Sequence, residues 1–237
     1  MLSLLWEKRY AVRLESRAVS SFGLFLITLV LVRSSFVYRS DVVLFIILPV
    51  VSALSFGLLA VGARRLKEYW RELLIVFLVA LPTTPIGLLL DTQSYFSIAT
   101  AKFSTFFLWY LGFDVTCQGV YVILQTGSVE VNSFCSGVMP MLTLLQLALL
   151  FLLIFPTKLK DKSLVLLASV TLAFIVNVFR VALMAVLIAF SDQTAFDYWH
   201  SGSGSQVFSV ISMLAFGYFC QFLIQQNNSG QESGLRS

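Results

Sequence analysis

Long apolar runs separated by short polar connections dominate the chain, at roughly 19–33, 41–62, 72–90, 136–155, 164–190 and 206–225. Several reach the roughly 20 residues that carry a helix across a hydrocarbon core of about 30 Å. A backbone in lipid has to satisfy its own hydrogen bonds, so each run is predicted to be a helix. The stretch 95–111 is shorter and holds Lys102, Ser97, Thr100, Ser104 and Thr105 among its aromatics, which predicts a re-entrant or interfacial segment. Beyond it, Gly119–Gln125 and Ser128–Asn132 are rich in β-branched residues and flank Thr126-Gly127, the pattern of a short hairpin. The predicted fold is an all-α polytopic membrane protein with a bundle of about six transmembrane helices, that re-entrant or interfacial helix and a short outer β-hairpin. Nothing along the chain marks a second domain, so residues 1–237 are expected to form a single integral membrane domain.

Composition reinforces this picture, because 58% of residues are hydrophobic, 12% are charged and the mean hydropathy is +0.89. A soluble domain carries about 25% charged residues. The first 18 residues hold Glu7, Lys8, Arg9, Arg13, Glu15 and Arg17, and no small-residue cleavage site follows the first span. They read as a retained cytoplasmic lead rather than a signal peptide.

Charge asymmetry then sets the orientation. Arg9, Arg13 and Arg17, then Arg64, Arg65, Lys67 and Arg71, then Lys158, Lys160 and Lys162 mark cytoplasmic ends, with 226–237 a cytoplasmic tail. The connections 112–135 and 191–205 hold Asp114, Glu130, Asp192 and Asp197 but no Lys or Arg, and read as outer. Arg33 and Arg39 run against the scheme but are outnumbered. Residues 91–135 become an outer cap, and the chain is expected to be a multi-pass protein of the inner or plasma membrane. The net charge of +4 is accounted for by the inner clusters, so no nucleic-acid partner is implied.

Three reactive side chains fall on the outer side of this scheme. Cys135 stands before Ser136 and Gly137 at the start of a span, where helix N–H groups and dipole favour a thiolate and could receive an oxyanion. Gly137 would let a substrate backbone come close. A packing role or a disulfide with Cys117, placed almost opposite Ser136 by the hairpin, are the plainer readings, and Cys220 is read as a packing residue. Arg180 lies inside the span 164–190, where a charge is costly unless paired or functional. Asn177 is three residues before it on one face and is expected to orient the guanidinium. Glu130 or a helix-end carbonyl could instead pair with Arg180 in a structural role. His200 is the only histidine and suits proton transfer to and from a thiol, although a loop histidine is commonly just solvated.

Other chemistry has little support. One histidine and no Cys-x-x-Cys pair leave no metal set, and nucleotide-binding, serine-hydrolase and zinc-protease motifs are absent. No cofactor and no metal are expected.

Cys135-Ser136-Gly137, then Asn177-Val178-Phe179-Arg180, then His200 before the last span together resemble the exosortase/archaeosortase family of membrane transpeptidases, over roughly residues 70–225. The resemblance implies an outer-side cysteine enzyme with Cys135 as nucleophile, His200 as acid and base, and Arg180 as oxyanion or substrate ligand. Its partners would be exported proteins ending in a short motif, a membrane helix and a basic cluster. A lipid or glycan amine, or water, would take the acyl group. Phe134 departs from the small residue that often precedes the family's Cys-Ser-Gly, which bears on the recognition motif. The rival reading is a small transporter or assembly factor with an anion at Arg180 and a Cys117–Cys135 disulfide.

Overall fold

A computed structural model describes residues 69–155 and 158–235, with parts of 24–32 and 48–58 as further helical turns. The cytoplasmic lead and most of the predicted spans 19–33 and 41–62 lie outside the described residues. The chain forms two compact units, Met1–Pro82 and Thr83–Ser237.

In the first unit, α1 (Trp70–Ala80) ends at Leu81, whose ψ of 120° is extended. Pro82 follows, and a residue before proline is pushed out of the helical region. The predicted span 72–90 is therefore not one helix: the chain resumes at Thr83 as α2 (Thr83–Leu90) in the second unit.

That unit continues with α3 (Tyr95–Tyr110), β1 (Val115–Gln118), β2 (Tyr121–Leu124), β3 (Gly127–Glu130), α4 (Val138–Ile154), α5 (Leu159–Ala189), α6 (Gln193–His200) and α7 (Ser205–Leu235). Two segments are long and apolar enough to cross a membrane, Lys160–Ala189 in α5 and Ser205–Gln226 in α7, and α4 is a shorter apolar helix. The described residues thus show two clear spans of the predicted six.

The long α5 is the element on which the others pack. Its Val165, Ser169, Ala173, Val181, Ala182 and Ala185 are all buried, and such small residues let neighbouring helices approach closely. One apolar cluster joins Val181, Ala182 and Ala185 to Ala101, Leu108, Val122, Val131 and Cys135; a second joins Val165 and Ala173 to Leu144, Ala148, Phe216 and Cys220.

Helix α3 buries Ser97, Thr100, Ala101, Ser104 and Leu108 and exposes Phe96, Phe103, Phe106 and Trp109. Polar inside and aromatic outside is the arrangement lipid favours. Ser104 Oγ donates to the Val178 carbonyl at 3.1 Å, and Phe103 and Phe107 meet Phe174 and Phe179 edge-on at 5.4 and 4.7 Å. These contacts ascend both helices together, so α3 runs parallel to α5. The segment expected to be re-entrant or interfacial is one continuous helix that does not double back.

The hairpin expected on the outer side is a three-stranded antiparallel meander, ordered β1-β2-β3. Leu124 pairs with Gly127, which puts Gln125 and Thr126 at the turn, one residue earlier than predicted. Gly127 is needed for a different reason: a Cβ there would lie 2.7 Å from Ile188 Cγ2 of α5. Thr126 Oγ1 donates to the Ala189 carbonyl at 2.6 Å and so satisfies one of the free acceptors at the end of α5. These contacts dock the sheet on that helix end.

Candidate active site

The loop from β3 to α4 carries the thiol, and Asn132 shapes it. Its Oδ1 accepts from the N–H groups of Phe134 and Cys135 at 3.0 and 3.1 Å, a side-chain turn typical of asparagine. Ser136 Oγ donates to the Ser133 carbonyl at 2.9 Å. Two helices then hold the loop by its carbonyls: Asn177 Nδ2 of α5 donates to Cys135 at 2.8 Å, and Thr100 Oγ1 of α3 donates to Ser136 at 2.7 Å. Gly137 has φ of +86°, and a Cβ there would sit 2.7 Å from Asn177 Nδ2, so both backbone and space demand glycine.

Asn177 therefore does not orient Arg180 as the spacing suggested. It is buried against the cysteine loop, and Arg180, a turn further along α5, reaches α6 instead.

Helix α6 occupies part of what reads as an outer loop. Asp192 caps it by accepting from the Ala195 N–H at 2.9 Å, and His200 is its last residue. Phe196, one turn earlier, stacks on the imidazole at 5.0 Å with an 11° interplanar angle. Trp199 packs on Phe208 at 5.8 Å, which ties α6 to α7. Arg180 Nη2 donates to the His200 carbonyl at 2.9 Å, so the helix-end carbonyl foreseen as a structural partner is present. Among the described residues Arg180 has no carboxylate partner; Glu130 is exposed on β3.

The fold brings Cys135 and His200 together, with Sγ 4.0 Å from Nδ1. Cys135 is 7% exposed. Burial pushes its thiol up, and the nearby Arg180 guanidinium pulls it down by less. The net direction is opposite to the one expected of a thiol at a helix N-terminus. Helix α4 starts only at Val138, so Cys135 lies outside the first turn, where the dipole acts.

The Cys135 N–H is engaged by Asn132, but the N–H groups of Ser136 and Gly137 have no acceptor among the described residues. Both residues directly follow the cysteine in the chain. Cys117, Cys135 and Cys220 are all free thiols. Cys117 stands opposite Val122 with its thiol toward the Gly119 carbonyl at 3.6 Å, so the disulfide reading fails on the actual register. Asn132, Thr100 and Phe196 were not singled out by sequence. Only Asn132, three residues before the cysteine in a loop, carried a local signal.

A sequence profile described as transmembrane exosortase matches residues 1–217. No curated protein and no solved structure matches the chain.

Proposed function

The chain belongs to the transmembrane exosortase family, and from that premise we propose that it cleaves the C-terminal sorting signals of exported proteins with Cys135 as nucleophile. The observation that carries the proposal is the buried Cys135 thiol 4.0 Å from the ring of the only histidine. In the first half-reaction the Sγ proton passes to His200 as sulfur attacks the scissile carbonyl carbon. The C–S bond forms, the Ser136 and Gly137 N–H groups receive the oxyanion, and the C–N bond breaks as His200 protonates the leaving amine. A lipid or glycan amine, or water, then attacks the thioester; its proton returns through His200 and the C–S bond breaks to restore the thiol.

Arg180 serves here as a positioning residue through the His200 carbonyl, and as a cation that eases formation of the thiolate. The site is expected to face the extracytoplasmic side, as the charge pattern suggests.

Cys135→Ala is expected to abolish removal of the tail from a co-expressed exported protein of this class, with protein level and membrane insertion unchanged. Cys117→Ala is expected to retain processing. Unchanged processing by Cys135→Ala would end the nucleophile assignment, and equal loss in Cys117→Ala would revive the disulfide account.

A further inference from the structure

A cleft of about 290 Å³ lies between α4 and α7, and Arg180 of α5 lines it. Met139, Pro140 and Leu144 line one side, and Ser209, Ser212 and Met213 the other. Deeper along α7, Phe216 and Cys220 pack with Leu144 and Ala148 of α4, which closes the space below. The cleft is thus a groove between two apolar helices, bounded along α7 by that packing.

Its lining adjoins the reacting pair without including it. Phe134, the neighbour of Cys135, lines it together with Arg180, which holds the His200 carbonyl. From Ser205 to Ser212 the lining follows α7 for seven residues, roughly 10 Å at the helical rise. A peptide with its scissile bond at the thiol and its apolar continuation in this cleft presents there the residues following that bond.

The chemistry of the walls matches such a segment. Serines at the face of a membrane helix allow another backbone to approach closely. The Gln206 and Ser209 side chains are exposed on the cleft and make no hydrogen bond among the described residues. Polar groups at this depth gain from a partner that brings its own amides. The volume is at the lower end of ligand sites, suited to the side chains on one face of a short segment.

We propose that the α4–α7 cleft seats the first two turns of the apolar segment that follows the scissile bond of the substrate tail. The inference rests on the peptidase reading and adds to it a binding surface for the leaving half of the substrate. Phe134 and Arg180 mark the reacting end of that surface, and Ser212 and Met213 its deeper end.

The test uses the full chain in membranes with an exported reporter that carries the tripartite tail of a protein from the same organism. Ser209→Trp fills the cleft from an exposed position. It is expected to lower processing at least tenfold while leaving the rate of Cys135 alkylation by iodoacetamide unchanged. In the Cys135→Ala background, a photo-crosslinking residue at Met213 is expected to capture the reporter tail. The same group at Tyr218, exposed on α7 but off the cleft, is expected not to. Wild-type processing by Ser209→Trp, equal capture at the two positions, or capture of lipid alone at Met213 overturns the proposal. The two readings fail separately: processing that survives Cys135→Ala refutes the peptidase, whereas Cys135-dependent processing without capture at Met213 refutes the cleft alone.

Discussion

At the scale of single residues, the site is set by how one cysteine is buried. Asn132, Asn177 and Thr100 take up the polar atoms of the loop around Cys135, so the sulfur is held in an apolar cluster without an orphaned backbone carbonyl beside it. Burial disfavours the charged form of a thiol, and a cation nearby favours it. For Cys135 the first effect is the larger and Arg180 supplies the second. The sign of the pH dependence follows. Alkylation of Cys135 by iodoacetamide, measured with Cys117 and Cys220 replaced by Ala, should keep rising with pH beyond the range of an ordinary thiol. Arg180→Gln removes the lowering charge and should move that profile to still higher pH. A wild-type profile already flat at neutral pH, or one unmoved by Arg180→Gln, would contradict this balance. Histidine also depends on its surroundings here: Phe196 fixes the ring plane and Arg180 fixes the backbone behind it.

At the scale of elements, α6 is the piece that makes the site, and it is marginal by itself. Eight residues are below the length at which an isolated helix persists, so it depends on its cap, its aromatic packing and the Arg180 tether. Losing an N-cap costs about 1 kcal/mol. Asp192→Ala is therefore expected to slow processing several-fold by loosening the helix that presents His200, and Asp192→Ser to restore most of it. Equal rates for wild type and Asp192→Ala, or no rescue by serine, would remove α6 stability from the mechanism. This element was also the least legible in the sequence. Residues 191–205 hold two aspartates and the run Ser-Gly-Ser-Gly at 201–204, which reads as a loop, and only contacts with α5 and α7 reveal the helix. The apolar runs of α4, α5 and α7 were legible because lipid leaves a backbone few alternatives. The strand register slipped by one because Gly127 looked like a turn residue, whereas its missing side chain makes room for Ile188. Strand β1, Val115 to Gln118, was missed because Gly119, which lies in the turn between β1 and β2, was read as the start of the first arm.

Across the second unit, the charge asymmetry of the sequence becomes a distance. Lys160 and Lys162 lie in the first turn of α5, while the sheet, which ends at Glu130 and follows Asp114, docks at the other end of this 31-residue helix, a length of roughly 46 Å. Arg180 is nine residues from that second end, about 14 Å along the axis, which puts the reacting groups toward the acidic side. The neighbours agree in direction: Thr143 of α4 reaches Thr83 of α2, and Met139 lies over Gly87, so α2 and α4 are antiparallel. If the acidic end faces outward, a small sulfonate-bearing methanethiosulfonate added to intact cells should reach Cys135, aided by the charge of Arg180, and block processing. Cys220 is 15 residues beyond Ser205, roughly 22 Å into α7, and is buried against α4, so it should react far more slowly. The comparison requires Cys117→Ala, because Cys117 lies on the sheet at the same end and would compete for the reagent. Labelling of Cys135 only after permeabilisation would reverse the orientation of the whole unit. It would also leave a sorting-signal peptidase with its thiol on the wrong side of the membrane for an exported substrate.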